Sequence, residues 1–197
     1  AGYIDPAPRV EFFRAVDAAN VDLKAFTDRF YYKICGARLE PVLETLRYIK
    51  QETDTWLELT TLLIPGENDS SSELDAMTGW VVEHLGPDVP MHFTAFHPDW
   101  KMRDIERTPA ATLTRAREIA LANGVRYAYT GNVRDPVGSS TWCTNCGELL
   151  IEREWHRLGR WGMSNAGACG SCGTPVAGHF GEKPQRLANG PVRVKLR

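Results

Sequence analysis

Long apolar runs are the first thing this sequence lacks. No stretch of about 18 uncharged apolar residues occurs, the length a membrane-crossing helix needs. The opening Ala1-Gly2-Tyr3-Ile4-Asp5-Pro6 has neither the basic start nor the apolar stretch of a signal peptide. A soluble, cytoplasmic protein is therefore expected, with no membrane partner. Cysteine is scarce: there are five among 197 residues, four in two close pairs and only Cys35 elsewhere. That distribution is a poor disulfide framework and fits a reducing compartment. Surplus charge is missing as well. Lysine and arginine number 23 against 25 acids, a net charge of -2, so there is no general electrostatic footprint for nucleic acid. The tail is a local exception, because Lys183, Arg186, Arg193, Lys195 and Arg197 meet no acid after Glu182. It reads as a solvated end or as a contact for an anionic partner. The rest is ordinary globular composition, 43% hydrophobic and 24% charged.

What is present is most pointed near the C-terminus. Cys143-x2-Cys146 and Cys169-x2-Cys172 are paired thiols at the spacing that chelates a tetrahedral ion, with 22 residues between the pairs. Gly147 and Gly173 each follow a second cysteine, where the turn needs positive φ. Four thiolates leave no open position, which makes zinc in a structural role the expected occupant, with iron and a redox pair as alternatives. His156 and His179 are candidate substitute ligands, and Trp155, Trp161 and Phe180 are expected to pack a small ribbon core.

Upstream, helical and strand patterns alternate. Helices are expected over residues 8–19, 40–51, 70–85 and 109–123, and strands over 20–26, 56–64, 90–96 and 125–130. Ser70 with Glu73 offers a capping box. Strands joined by helical crossovers must run parallel, in a barrel or an open doubly wound sheet.

Successive strand side chains point to opposite faces. Asp22 and Lys24 therefore share one face, as do Glu58 and Thr60, and His92 and Thr94. Polar groups recurring on one face of several strands suggest the lining of a ligand cavity. Structural ion pairs between Lys24 and Asp22 or Glu58 are the alternative. Cys35 reads as a small buried hydrophobe more readily than as a nucleophile.

Residues 20–26 (NVDLKAF), 60–69 (TTLLIPGEND), 92–100 (HFTAFHPDW) and 129–132 (YTGN) resemble successive barrel segments of radical SAM enzymes. The resemblance is to the radical SAM member of the AmmeMemoRadiSam system, which is similar to pyruvate formate-lyase activating enzymes. It covers residues 2–132, and members of that group also carry a C-terminal CxxC pair. The cysteine pairs mark a zinc ribbon over 140–180 and the charges a basic tail over 181–197, and before them the resemblance implies an α/β fold, a partial (βα) barrel over residues 1–139. It further implies that Asp22 and Lys24 hold S-adenosylmethionine, with His97 approaching the cofactor and the backbone at Ile64 beside the adenine. A lysine ammonium suits the methionyl carboxylate, and an aspartate accepts from amino or hydroxyl donors.

The departure from that group is as specific. Radical SAM chemistry uses a CxxxCxxC loop that holds a [4Fe–4S] cluster, and no such loop occurs here. The expectation is the C-terminal part of a longer enzyme, inactive alone. The intact enzyme would use a [4Fe–4S] cluster to cleave S-adenosylmethionine reductively to a 5′-deoxyadenosyl radical, acting on an unknown protein or small-molecule substrate. The alternative is a zinc-ribbon binding module for protein or nucleic acid on an α/β scaffold. An incomplete barrel leaves an open edge, through which self-association is expected.

Overall fold

The computed structural model describes residues 2–155 and 157–180. His156 and the basic tail lie outside the described residues. The chain divides into two compact units, Ala1–Val133 and Arg134–Arg197.

The first unit opens with helix α1 (Pro6–Phe13), whose proline sits in the first turn, where a missing N–H costs nothing. Strand β1 (Ala18–Asp22) follows, then a short turn α2 (Asp28–Phe30) running into a π-helical turn (Tyr31–Cys35). Helix α3 (Glu40–Glu52), β2 (Trp56–Leu63), α4 (Ser71–Leu85), β3 (Met91–Ala95), α5 (Ala110–Ala122) and β4 (Ala128–Gly131) then alternate. The four strands are all parallel and lie in the order β1-β2-β3-β4. A sheet that adds strands in sequence order has no topological reversal, which is the barrel pattern and not the doubly wound one.

The strands alternate strictly between their faces. On β2, Leu57, Leu59, Thr61 and Leu63 are buried while Trp56, Glu58, Thr60 and Leu62 are half-exposed. On β3, Met91, Phe93 and Ala95 are buried, and His92 and Thr94 are not. The buried face packs on Val42, Leu43, Leu46 and Ile49 of α3, Leu74, Met77, Val81 and Leu85 of α4, and Leu113, Ala116 and Ala120 of α5. Each large apolar side chain buried there contributes about 1.5–3 kcal/mol. On the opposite face Glu58, Thr60, His92 and Thr94 are half-exposed, as the alternation requires.

Helix starts follow local chemistry, with one change. Ser70 Oγ accepts the Glu73 N–H at 3.2 Å, as a capping box demands, but Glu73 Oε1 does not turn back to Ser70. It accepts the Phe26 N–H at 2.7 Å and so ties α4 to the chain leaving β1.

The second unit starts with the short helix α6 (Pro136–Ser139), then forms an antiparallel sheet of β5 (Thr141–Trp142), β6 (Leu149–Glu154) and β7 (Arg157–Trp161) in that order. Its core is small: Cys143, Leu150, Ile151, Met163 and Cys169, with Leu158, Trp161 and Val176 half-buried against it. Trp161 packs as expected. Trp155, at φ 54 in the turn after β6, is exposed, and Phe180 is partly exposed outside this core, its ring lying over Gly167 and Gly178. No described helix is long and apolar enough to cross a membrane.

Candidate functional site

The C-terminal ends of parallel strands are where open backbone groups and connecting loops collect, and ligands bind there in α/β folds. In the first unit these ends are fastened by three polar side chains. Asn68, fully buried, donates from Nδ2 to Lys24 O at 2.7 Å and Leu62 O at 2.9 Å, and accepts the Ile64 N–H on Oδ1 at 2.7 Å. It therefore joins the end of β1 to the end of β2. Thr108 Oγ1 donates to Leu63 O at 2.5 Å and accepts the Phe96 N–H at 3.0 Å, joining β2 to β3. Asn132, at φ 60, donates to Ala95 O at 3.3 Å, joining β3 to the chain leaving β4.

The residues singled out by the resemblance stand on this edge. Asp22 is the last residue of β1, and Lys24 follows it beyond the strand; Lys24 Nζ lies 3.0 Å from Asp22 Oδ2, each side chain about one third exposed. The strand is shorter than the sequence pattern suggested, because after Asp22 the chain turns to side-chain partners. The Lys24 N–H donates to the Tyr31 hydroxyl at 3.1 Å, and the Lys24 carbonyl accepts from Asn68. Burial pushes the Tyr31 hydroxyl up to about 12, so it is a neutral phenol that fixes the Lys24 backbone. Ile64 is buried, its N–H taken by Asn68 and its carbonyl by the Glu67 and Asn68 N–H groups. His97 is exposed, just past the Phe96 anchor. Three strand ends thus carry the four residues: Asp22 and Lys24 after β1, Ile64 after β2, His97 after β3.

Further back on the same face, Asp22, Thr60, His92 and Tyr129 are register partners in succession across all four strands. Thr60 Oγ1 donates to Asn20 Oδ1 at 2.8 Å. His92 Nε2 and Glu58 Oε2 are 2.8 Å apart, so Glu58 pairs with His92 and the ion pair of Lys24 is with Asp22. Cys35 ends the π-helical turn and is exposed, not the buried hydrophobe expected; the partial burial of its thiol pushes it up against the pull of the Lys24 ammonium, the opposite of an activated nucleophile.

The second unit holds the thiols. Cys143 and Cys172 sulfurs are 3.6 Å apart and those of Cys146 and Cys169 3.7 Å, and all four lie within 4.8 Å of one another. Zn–S bonds of about 2.3 Å in a tetrahedron place sulfurs about 3.8 Å apart. The two turns repeat one another. The Gly147 N–H donates to Cys143 O at 3.0 Å and the Gly173 N–H to Cys169 O at 2.9 Å. Both glycines are left-handed, at φ 72 and φ 74. The Cys143 N–H donates to Glu148 O at 2.8 Å and the Cys169 N–H to Thr174 O at 2.9 Å. In each pair the first cysteine is buried and the second exposed. The hydroxyl and backbone N–H of Thr174 hold the Cys172 thiol down, at about 5. Four converging sulfurs with donors aimed at them suit a metal ion such as zinc. His179 stands outside this set, and the four cysteines are sufficient ligands without it.

Asn68, Thr108 and Asn132 are the residues sequence reasoning passed over. Asn68 lies inside the Pro65-Gly66-Glu67-Asn68-Asp69 segment and Asn132 closes the Tyr129-Thr130-Gly131-Asn132 segment, both of which carry the resemblance; Thr108 offers no signal beyond its place at a loop end.

No family model matches the chain. An uncharacterized protein of Methanocaldococcus jannaschii is 45% identical over 152 residues, covering 77% of this chain and 44% of its own length, so the chain spans less than half of that relative. Among solved structures, a domain of pyruvate-formate lyase-activating enzyme from Bacteroides vulgatus has a TM-score of 0.57 at 16% identity, over 65% of this chain and 75% of that one. At that identity the likeness is one of fold, and the chain has the α/β fold of an activating-enzyme domain together with a small four-cysteine ribbon.

Proposed function

We propose that this chain is the S-adenosylmethionine-binding, C-terminal part of a radical SAM enzyme of the activating type, ending in a structural zinc ribbon. The observation that carries the reading is the placement of Asp22 and Lys24, side by side and part-exposed, at the C-terminal edge of a sheet with an activating-enzyme fold. Lys24 would receive the methionyl carboxylate, and Asp22 the amino or a ribose hydroxyl group. Their present ion pair is the resting partner each exchanges for the ligand. His97 and the Ile64 segment would border the cofactor from the neighbouring strand ends. S-adenosylmethionine supplies radical chemistry only when it is reduced, and the residues here do not fit the group that reduces it. The reducing cluster of radical SAM chemistry is held by a CxxxCxxC loop, whereas Cys35 stands alone and the other four thiols are drawn together in the ribbon. The cluster would lie in the part of the longer protein that the archaeal relative's length leaves room for. The AmmeMemoRadiSam group is the specific assignment, on the strength of residues 60–69 and the C-terminal cysteine pairs. A reducing, cytoplasmic setting suits thiols that bind metal.

Calorimetric titration of the chain with S-adenosylmethionine tests the reading. Saturable binding is expected, weakened at least tenfold by Lys24→Ala. Absence of saturation in the parent chain at millimolar ligand sinks it and favours the binding-module alternative.

A further inference from the structure

The polar strand face holds a pair that neither the cofactor residues nor the thiols use. His92 Nε2 lies 2.8 Å from Glu58 Oε2, and the Trp56 Nε1–H donates to Glu58 Oε1 at 3.0 Å. The Tyr129 ring stacks on His92 with centroids 5.1 Å apart and planes 27° from parallel. A carboxylate only accepts, so the imidazole presents a proton to it from Nε2, and in the tautomer that does so the lone pair lies on Nδ1. Among the described residues no group hydrogen-bonds Nδ1. The ring is oriented on one edge by the carboxylate and on one face by the tyrosine. The His92 and Glu58 side chains are 31% and 34% exposed, within reach of a ligand.

A purely structural ion pair explains why β2 and β3 are linked here. It does not explain why the imidazole is oriented so fully while its second nitrogen is left without a partner on an accessible face. His92 shares its register row with Asp22, two strands away, which separates their backbones by about 10 Å. A molecule lying against the cofactor residues would extend over the dyad.

We propose that Glu58 and His92 form a proton-accepting dyad that receives an O–H or N–H group of the substrate on this face. The inference rests on the reading of the face as the ligand side of the sheet. Glu58 orients, and His92 Nδ1 accepts. If the proton transfers fully, the substrate's O–H or N–H bond breaks and its electron pair stays on oxygen or nitrogen. The imidazolium so formed keeps its other N–H on Glu58, and no further reactant is needed. Trp56 and Tyr129, on the same face, suit a substrate with a flat or apolar part beside its donor group.

Two measurements on the whole chain decide it, both independent of S-adenosylmethionine. Long-range proton–nitrogen spectra of the histidine rings should place the His92 proton on Nε2, in a resonance lost on Glu58→Ala. Diethylpyrocarbonate, which needs an accessible nitrogen lone pair, should modify His92 at a rate within threefold of exposed His97, read by peptide mass mapping of the unsubstituted protein. A proton on Nδ1, or His92 spared tenfold or more relative to His97, overturns the proposal. So does a His92→Gln variant that loses S-adenosylmethionine binding as fully as Lys24→Ala, because the ring would then belong to the cofactor site. If the parent chain binds no S-adenosylmethionine while His92 behaves as stated, the cofactor reading fails and the dyad stands.

Discussion

The two units of this chain reach stability by different physical routes. The first buries a continuous apolar layer under three helices, and the half-exposed face of its sheet carries Glu58, Thr60, His92 and Thr94. The second, among its described residues, buries five in its core, two of them cysteines of the thiol cluster. A core that small does not offset the ordering of its backbone. An ion held by the four thiolates would therefore be part of its structure in the sense that an apolar layer is part of the first.

The strongest break in this comparison is at the thiols. Cys169→Ser is expected to take bound zinc from about one per chain to none and to erase amide protection from β5 through β7. Structural zinc in small fingers is worth about 10–16 kcal/mol at neutral pH. Metal analysis with hydrogen exchange reads both, and the first unit should keep its protection. Iron with acid-labile sulfide in the parent protein would refute the zinc assignment. Lowering the pH should act in the same direction, because protons compete with the ion for thiolates and so release it.

The converse break is Phe93→Ala, which empties a fully buried position and should cost the first unit about 3–5 kcal/mol while zinc stays bound. Denaturant unfolding followed alongside zinc release separates the two. Loss of zinc at the same midpoint would mean that the units are not independent.

Asn68→Ala should be intermediate. It leaves the carbonyls of Lys24 and Leu62 and the N–H of Ile64 without their partner, and a buried unsatisfied group costs about 1–3 kcal/mol. Because Asn68 holds the segments of two candidate cofactor contacts, the variant should also weaken S-adenosylmethionine binding more than Phe93→Leu does at matched stability. Equal losses would reduce Asn68 to a structural clip.

How far such features can be read beforehand depends on whether they are local. The alternation of β2 and β3 and the stripe of α3 are periodic signals, and they place the polar face correctly from residues such as Glu58, Thr60 and His92. The two CxxC turns are local as well, and the structure brings their sulfurs together. The pairing of Glu58 with His92, and the clips at Asn68, Thr108 and Asn132, join residues whose spacing along the chain carries no period. Tertiary register decides them. Glu73 shows the limit most clearly: its capping position was legible, but its carboxylate serves Phe26, 47 residues away.

Glu73 also sets the smallest and most discriminating test. Burial raises its carboxyl above the usual range, against the pull of the Phe26 N–H and Arg29. A folded-state pKa above the unfolded value means that the native state binds the proton more tightly. The contribution to stability is then present below the unfolded pKa and lost as pH rises through the folded one. Glu73→Gln keeps an acceptor for the Phe26 N–H and removes the titration. Relative to this variant, the parent's first unit should gain stability on acidification between the two pKa values, measured by denaturant midpoints over that window. A ribbon that holds an ion should lose it as protons compete for the thiolates, so the parent-minus-variant slope of the first unit and the slope of the ribbon are expected to be opposite, and parallel slopes would show that their stabilities are coupled.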